Sequence, residues 1–411
     1  MKRCALLSVA LCLGVVGSSA IACLNDRDSD LLERESGALP RAMQVITGRF
    51  ERNPPLFYEM RLKRVAAQLK QDPSQLSLYD DAAVASDRIG RSNDAIMWIE
   101  KKHTQLLQQK PFTHLNAKIP ANESLREHWY RYHANVGTFW AHRWIRNGAD
   151  RSKISEIKTA ADHIATAIKI KPNAHFGREK YQLKTMRWII SPPKATAEDP
   201  LPNILKIPLK YGREELYEYQ YNKQGAQEEL RKKGLTDAVE GLTGLIVLGN
   251  AWESLDVFYA LQLPLEIQGK GSLSEMAQLR SMELIAAGKR SLYPQAPTST
   301  QLQEVVAPHE DQPIRSYSPQ KIQEIYTRLR DEAEEYQQKR TAYMMTRLQK
   351  GRHPDTDATF WKGWHDAGPP PPVPFTMWEK HGSAFTIIAG GLLFSLASLF
   401  QIRRRHALAR T

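Results

Sequence analysis

The chain has 411 residues, 42% of them apolar and 25% charged, with a formal net charge of +12. That composition supports large cores and excludes general disorder. Lys2 and Arg3 carry two of the net charges and Arg403, Arg404, Arg405 and Arg410 four, which leaves six spread thinly over the rest. No basic stripe remains of the kind that neutralises phosphates, so nucleic acid is not the expected partner.

Residues 1–22 read as a signal peptide. Lys2 and Arg3 form the charged start, Ala5 to Val16 an apolar run too short to be a preferred membrane span, and Ala20-Ile21-Ala22 a cleavage site. Cys4 and Cys12 fall inside it, so Cys23 is the only cysteine of the mature chain and no intrachain disulfide is expected. Ser19 to Cys23 resembles the lipoprotein box, with Ala20 where Leu is usual. Cys23 is therefore either a lipidation site or simply the new N-terminal residue.

Residues 23–53 are expected to be an extended segment. Its Asn25-Asp26-Arg27-Asp28-Ser29-Asp30 run alternates carboxylates, but Leu31 and Gly37 stand where a calcium loop needs Gly and Glu. The run is expected to be solvated. A first helix should open at Pro54 with Asn53 as its cap, since proline suits a first-turn position whose N–H has no partner. Tyr58, Leu62, Val65, Ala66 and Leu69 then recur at helical spacing until Pro73.

From Ser74 to Gln109 the pattern sharpens. Tyr79, Ala82, Ala83 and Ser86 mark one helix, Gly90 a turn, Ser92 a cap, and Ala95 and Ile99 a second helix. The small residues allow close approach of the two helices. Further on, Gly137 and Trp140 lie on a helix from about Leu125 to Ile145, and Ala160, Ile164, Ala167 and Pro172 follow. This spacing resembles the tetratricopeptide (TPR) repeat, a helix-turn-helix of ~34 residues, over Ser74 to Asn173. Two departures stand out: Leu107 replaces the closing proline, and about eleven extra residues separate the halves of the second unit. The resemblance implies an all-α TPR-like repeat region over residues 54–190 with a concave groove for protein or peptide partners. Polar residues of the first helices would do the binding, with Asp80, Arg88 and Asn93 as candidates.

A second helical region is expected over 205–290. Ala238 to Gln268 is apolar and Leu-rich, and Leu273 to Ala287 places Leu279, Met282 and Ile285 on one face before Gly288. Five prolines make a loop of Ser191 to Pro208, and residues 291–319 read as a linker. Residues 320–350 form an amphipathic helix with Ile322, Ile325, Tyr326, Leu329, Ala333, Tyr336, Tyr343 and Met344 as its stripe. It serves either as a stalk or coiled coil, or packs on the domain.

Pro369 to Pro372 stiffen a juxtamembrane segment over 351–381. Residues 382–400 contain no charge and as a helix span about 28 Å, close to a bilayer core. Trp378 before this stretch and Arg403-Arg404-Arg405 after it suit the two interfaces, with the basic tail of 401–411 in the cytoplasm. The expectation is a single-pass cell-membrane protein with its bulk extracytoplasmic. Gly391 and Ser395 form a small-xxx-small pair of the kind that supports a homodimer.

Catalytic signatures are missing. His128, His133 and His142 are too divergent on one helix to share a metal, and no HExxH is present. Asp80-Asp81 and Glu214-Glu215 are adjacent pairs that diverge on a helix and read as solvated faces. Gly269-Lys270-Gly271 lacks the third glycine of a nucleotide loop. The reading is a non-enzymatic scaffold without metal or cofactor. Its rivals are an envelope spacer and an exported enzyme whose site has no motif.

Overall fold

The structure, a computed structural model, describes residues 24–28, 40–109, 122–172, 174–197, 199–207, 223–306 and 317–371. Regular structure among them is entirely helical. In chain order the helices are α1 (Ala42–Thr47), α2 (Pro55–Gln71), α3 (Leu76–Arg88), α4 (Ser92–Gln109), α5 (Glu123–Arg146), α6 (Ile154–Ile170) and α7 (Arg178–Ile190). There follow α8 (Lys223–Lys232), α9 (Ala238–Val247), α10 (Leu255–Ile267), α11 (Gly271–Ala286), α12 (Ser299–Val306) and α13 (Pro319–Leu348). None is long and apolar enough to cross a membrane, and the uncharged stretch 382–400 lies outside the described residues, as do the signal region and Cys23.

Sequence neighbours pack on one another from α2 through α7, and α7 hands the stack on through α9 and α10 to α11. Helix α1 sits against α9, α11 and α13 with Val45 and Ile46 fully buried, and α13 touches both α11 and α2. The last helix thereby ties the end of the stack to its beginning. Ser318 caps α13 by accepting the Lys321 N–H, and its apolar stripe, Ile322 to Met344, is buried on the domain. At one end Tyr326 donates to Glu283 of α11 at 2.7 Å; at the other Arg340 donates to the Arg52 carbonyl and to Asn53 at 3.2 and 2.9 Å.

That last contact corrects the expected cap of α2. Asn53 is engaged by Arg340, and Pro54 itself takes the N-cap position, with Pro55 opening the helix. The segment 23–53 also contains the buried helix α1, closed by Gly48 at a φ of +90°. Ser92 is the first residue of α4 and its hydroxyl accepts from Arg146 at 2.6 Å. On α11, Leu279 and Met282 are only half-buried, because Ala277, Ser281 and Leu284 face the core.

The hairpin positions are where the helices meet. Tyr79, Ala82, Ala83, Ser86, Ala95 and Ile99 are all buried, with Gly90 at a φ of +83° in the α3–α4 turn. In the next pair Ala160, Ile164 and Ala167 of α6 are fully buried against α5, while Trp140 is half-buried under Arg143 and Pro172 is exposed. The added length of this unit lies partly in α5, which has 24 residues against 13 in α3, and partly in the turn after it.

Gly137 is the closest approach in that pair. A Cβ there would stand 2.7 Å from the Ala160 carbonyl oxygen and 2.7 Å from Ile164 Cγ1. Backbone cannot retreat as a flexible side chain does, so Gly137→Ala should lower stability by about 1–3 kcal/mol through overpacking. A urea melt of the variant checks this; an unchanged midpoint would mean that α5 and α6 are not in close contact.

Candidate peptide-binding groove

Residues 24–28 pack against side chains of α2, α3, α5 and α7, and this seat is the candidate groove. Leu24, Asn25 and Asp26 are buried, at 2%, 1% and 5% exposure, so this stretch is not the solvated run its charges suggested. Three residues read its backbone. Asn135 on α5 receives the Asn25 N–H on its Oδ1 and donates its amide to the Asn25 carbonyl, both at 2.9 Å. Arg178 at the start of α7 donates to the Leu24 carbonyl at 2.9 Å and to the Asn25 side chain at 3.0 Å. Asp81 on α3 accepts the Arg27 N–H at 3.1 Å. A side-chain amide that matches both polar groups of one residue acts as a strand edge would, without regard to sequence.

Arg61 on α2 reads the side chains. Its exposure is 1%. One edge of the guanidinium donates twice to Asp28 at 2.8 Å, and another donates twice to Asp355 at 2.8 Å. Asp26 stands 3.5 Å away, and Arg64 adds a further bond to Asp355. Burial acts to raise the Asp355 carboxyl, but the bonds from Arg61 outweigh it and hold the group well below the usual range. His353 beside it stacks on Phe57 and binds the Phe57 carbonyl. The turn after α13 thus orients the arginine that grips the segment.

Beneath the groove lie buried charges. Asp80 and Lys102 are both fully buried and bond at 2.5 Å; burial pushes the carboxyl up and the ammonium down. Asp80 also accepts from Asn135 at 3.2 Å, which fixes the orientation of that amide. Asp87, buried at the other end of α3, is bonded by His142 and Arg146 of α5. Burial lowers the His142 pKa, so its neutral ring donates while Arg146 carries the balancing charge. Both Asp80 and Asp81 are therefore inside the protein rather than on a solvated face; Glu214-Glu215 lie outside the described residues.

The other expected groove residues are elsewhere. Arg88 turns to the Leu248 carbonyl at the end of α9, and Asn93 is exposed at the start of α4. The three histidines of α5 separate as their spacing requires. His142 is in the core, His128 lines a cavity of about 400 Å³, and His133 meets His163 of α6 at 3.0 Å. Among the described residues no group of three or more metal-ligating side chains converges. The cavity lies beside Arg27, Asp81 and Arg131, continuous with the seat of the segment. Asn135, Arg61 and Arg178 carry no motif, and nothing in the sequence singled them out.

Asp26 gives the seat a pH dependence. Burial, then the neighbouring Asp28, pushes its pKa up to about 7, and burial pushes Asp81 up to about 6. Both exceed the ordinary carboxylate value, so the seated state binds protons more tightly than a released segment does. Seating is therefore strongest below the unperturbed value near 4 and weakens as pH rises through 6 to 7. The charges that act on Asp26 include those of Asp28, Arg61, Asp81 and, more remotely, Arg88; Asp355 stays ionised throughout this window. Hydrogen exchange at the Arg27 amide, corrected for intrinsic rate, should be several-fold faster at pH 8 than at pH 5.5. Slower exchange at pH 8 would refute the sign.

The chain matches no family model, no curated protein and no solved structure.

Proposed function

We propose that this chain is a membrane-anchored scaffold of TPR-like helical hairpins that binds extended segments of partner proteins on the extracytoplasmic side. The observation that carries the reading is the groove's hold on residues 24–28, in which Asn135, Asp81 and Arg178 engage main-chain atoms of a stretch that is irregular at Leu24 and Asn25 and turns helical at Arg27 and Asp28. Such a site accepts a peptide by its backbone and selects it by a few side chains. Buried hairpin positions from Tyr79 to Ala167 support the stack that shapes the groove. The anchor and its orientation rest on the uncharged stretch 382–400 and the arginines after it.

Co-purification from gently solubilised membranes tests the reading, with full-length protein tagged at its C-terminus and the tagged stretch 382–411 alone as control. Partners that require residues 74–173 are the expected result. Recovery of nothing beyond the control would leave the chain a spacer. Maleimide labelling of a cysteine placed at Arg410 tests the orientation, and labelling from outside intact cells would reverse it.

A further inference from the structure

The side chains of Asn135, Arg178 and Asp81 bond main-chain atoms that any peptide offers, yet here they hold the protein's own. Arg61 is preset for a ligand. Asp355 fixes one edge of its guanidinium from the domain side, at 2.8 Å for each bond, and so aims the remaining donors at the carboxylate of Asp28. A bidentate fork of this kind recognises a carboxylate by shape as well as charge. The Asp28 side chain is 38% exposed, so this contact sits at the mouth of the groove. Leu24 and Asn25 lie at its buried end. The cavity of about 400 Å³ beside Arg27 leaves room next to the segment that the segment does not use.

We propose that residues 24–28 are a built-in ligand of the groove, occupying it in place of a partner segment of the same chemistry: a short amide side chain followed, across a turn into a helix, three positions later by a carboxylate. This rests on the reading of the groove as a peptide-binding surface. Only the eleven residues 29–39 connect the segment to Pro40, where the described chain resumes. A tether of that length spans at most about 40 Å, so a segment that has left stays at millimolar effective concentration. A partner must outcompete it. The self-contact therefore sets a threshold on partner binding, and removing it raises affinity without adding any contact.

The test uses full-length protein in detergent and a fluorescent peptide, Leu-Asn-Asp-Arg-Asp-Ser-Asp-Leu, which copies residues 24–31. The receptor is wild type or the triple variant Asn25→Gly, Asp26→Gly, Asp28→Gly, whose own segment no longer fits. The variant should bind the peptide at least ten-fold more tightly than wild type. A peptide with Asn in place of its second aspartate, equivalent to Asp28, should still bind but at least ten-fold more weakly. Equal binding by wild type and variant, or no binding by a variant that keeps its helical content, overturns the proposal.

Should the variant lose its helices, hydrogen exchange in the wild-type protein decides. A releasable ligand exposes the Asn25 and Arg27 amides at least ten-fold more often than the core amides of α5 open. Exchange of these two amides only together with that core marks a permanent part of the fold and overturns the proposal. Peptide failure alongside partners that still depend on residues 74–173 would remove the built-in ligand and leave the scaffold reading standing.

Discussion

Replacing Arg61 by Met is expected to lower stability by about 3–5 kcal/mol, the loss typical of a buried ion pair that keeps only one of its partners. Asp355 and Asp26 are the reason. Their side chains are 7% and 6% exposed, and the guanidinium between them is 1% exposed, so neither carboxylate is solvated once Arg61 is gone, and Arg64 and Arg27, more exposed and on Asp355 alone, replace only part of it. Asp28 at 38% exposure adds less, because water takes over from the arginine. Arg61→Lys should recover only part of the loss, since an ammonium is a point charge that does not bridge two carboxylates with paired bonds. Urea unfolding of the three proteins at neutral pH measures it. A wild-type midpoint for Arg61→Met would mean that the turn at Asp355 does not reach α2.

The second large effect is expected at Lys102. Lys102→Met leaves Asp80 as a fully buried carboxylate with only Asn135 to satisfy it, and should also cost about 3–5 kcal/mol at neutral pH. The cost should shrink as pH falls, because burial already raises the Asp80 pKa and the lost ammonium no longer opposes that rise. The double variant Asp80→Leu, Lys102→Met should regain much of the stability, as apolar replacements of a buried pair commonly do. It should nevertheless loosen residues 24–28, because Asp80 orients the Asn135 amide that holds Asn25. Stability and seating would then separate: a near-normal urea midpoint with faster exchange at the Asn25 amide. A double variant as unstable as Lys102→Met would show that the pair contributes more than the avoidance of a lone buried charge.

Much of the helix pairing is legible in the sequence because it depends on small residues at fixed offsets. Ala83 and Ala95 share the core between α3 and α4, Ala82 joins Val65 and Leu69 of α2 instead, and Gly137 is where α5 comes closest to Ala160 and Ile164. Gly90 and Gly288 adopt the positive φ that ends a helix. Charges were misleading, since a carboxylate is read as solvated unless its partner is in view. Asp80 finds Lys102 22 residues on and Asn135 55 residues on, and Arg61 meets Asp355 294 residues away. None of these three separations leaves a trace in local periodicity. The same holds for α13, whose stripe suits a coiled coil and a packed helix equally until α1, α2 and α11 are placed beside it. Residues 24–28 escaped for a simpler reason: five residues carry no period, and their burial depends wholly on the groove they enter.

Photo-crosslinking in intact cells tests the scaffold reading most directly. A photoreactive residue at Ser77 or Ser124, both exposed on the lining of the groove cavity, is compared with one at Lys158, exposed on α6 away from that lining. Adducts to a second protein from Ser77 and Ser124, absent from Lys158 and lost when an Asn135→Asp, Arg61→Gln background disables the groove, are the expected result. Adducts that form equally at all three positions, or none at Ser77 and Ser124, would contradict a groove that binds partners.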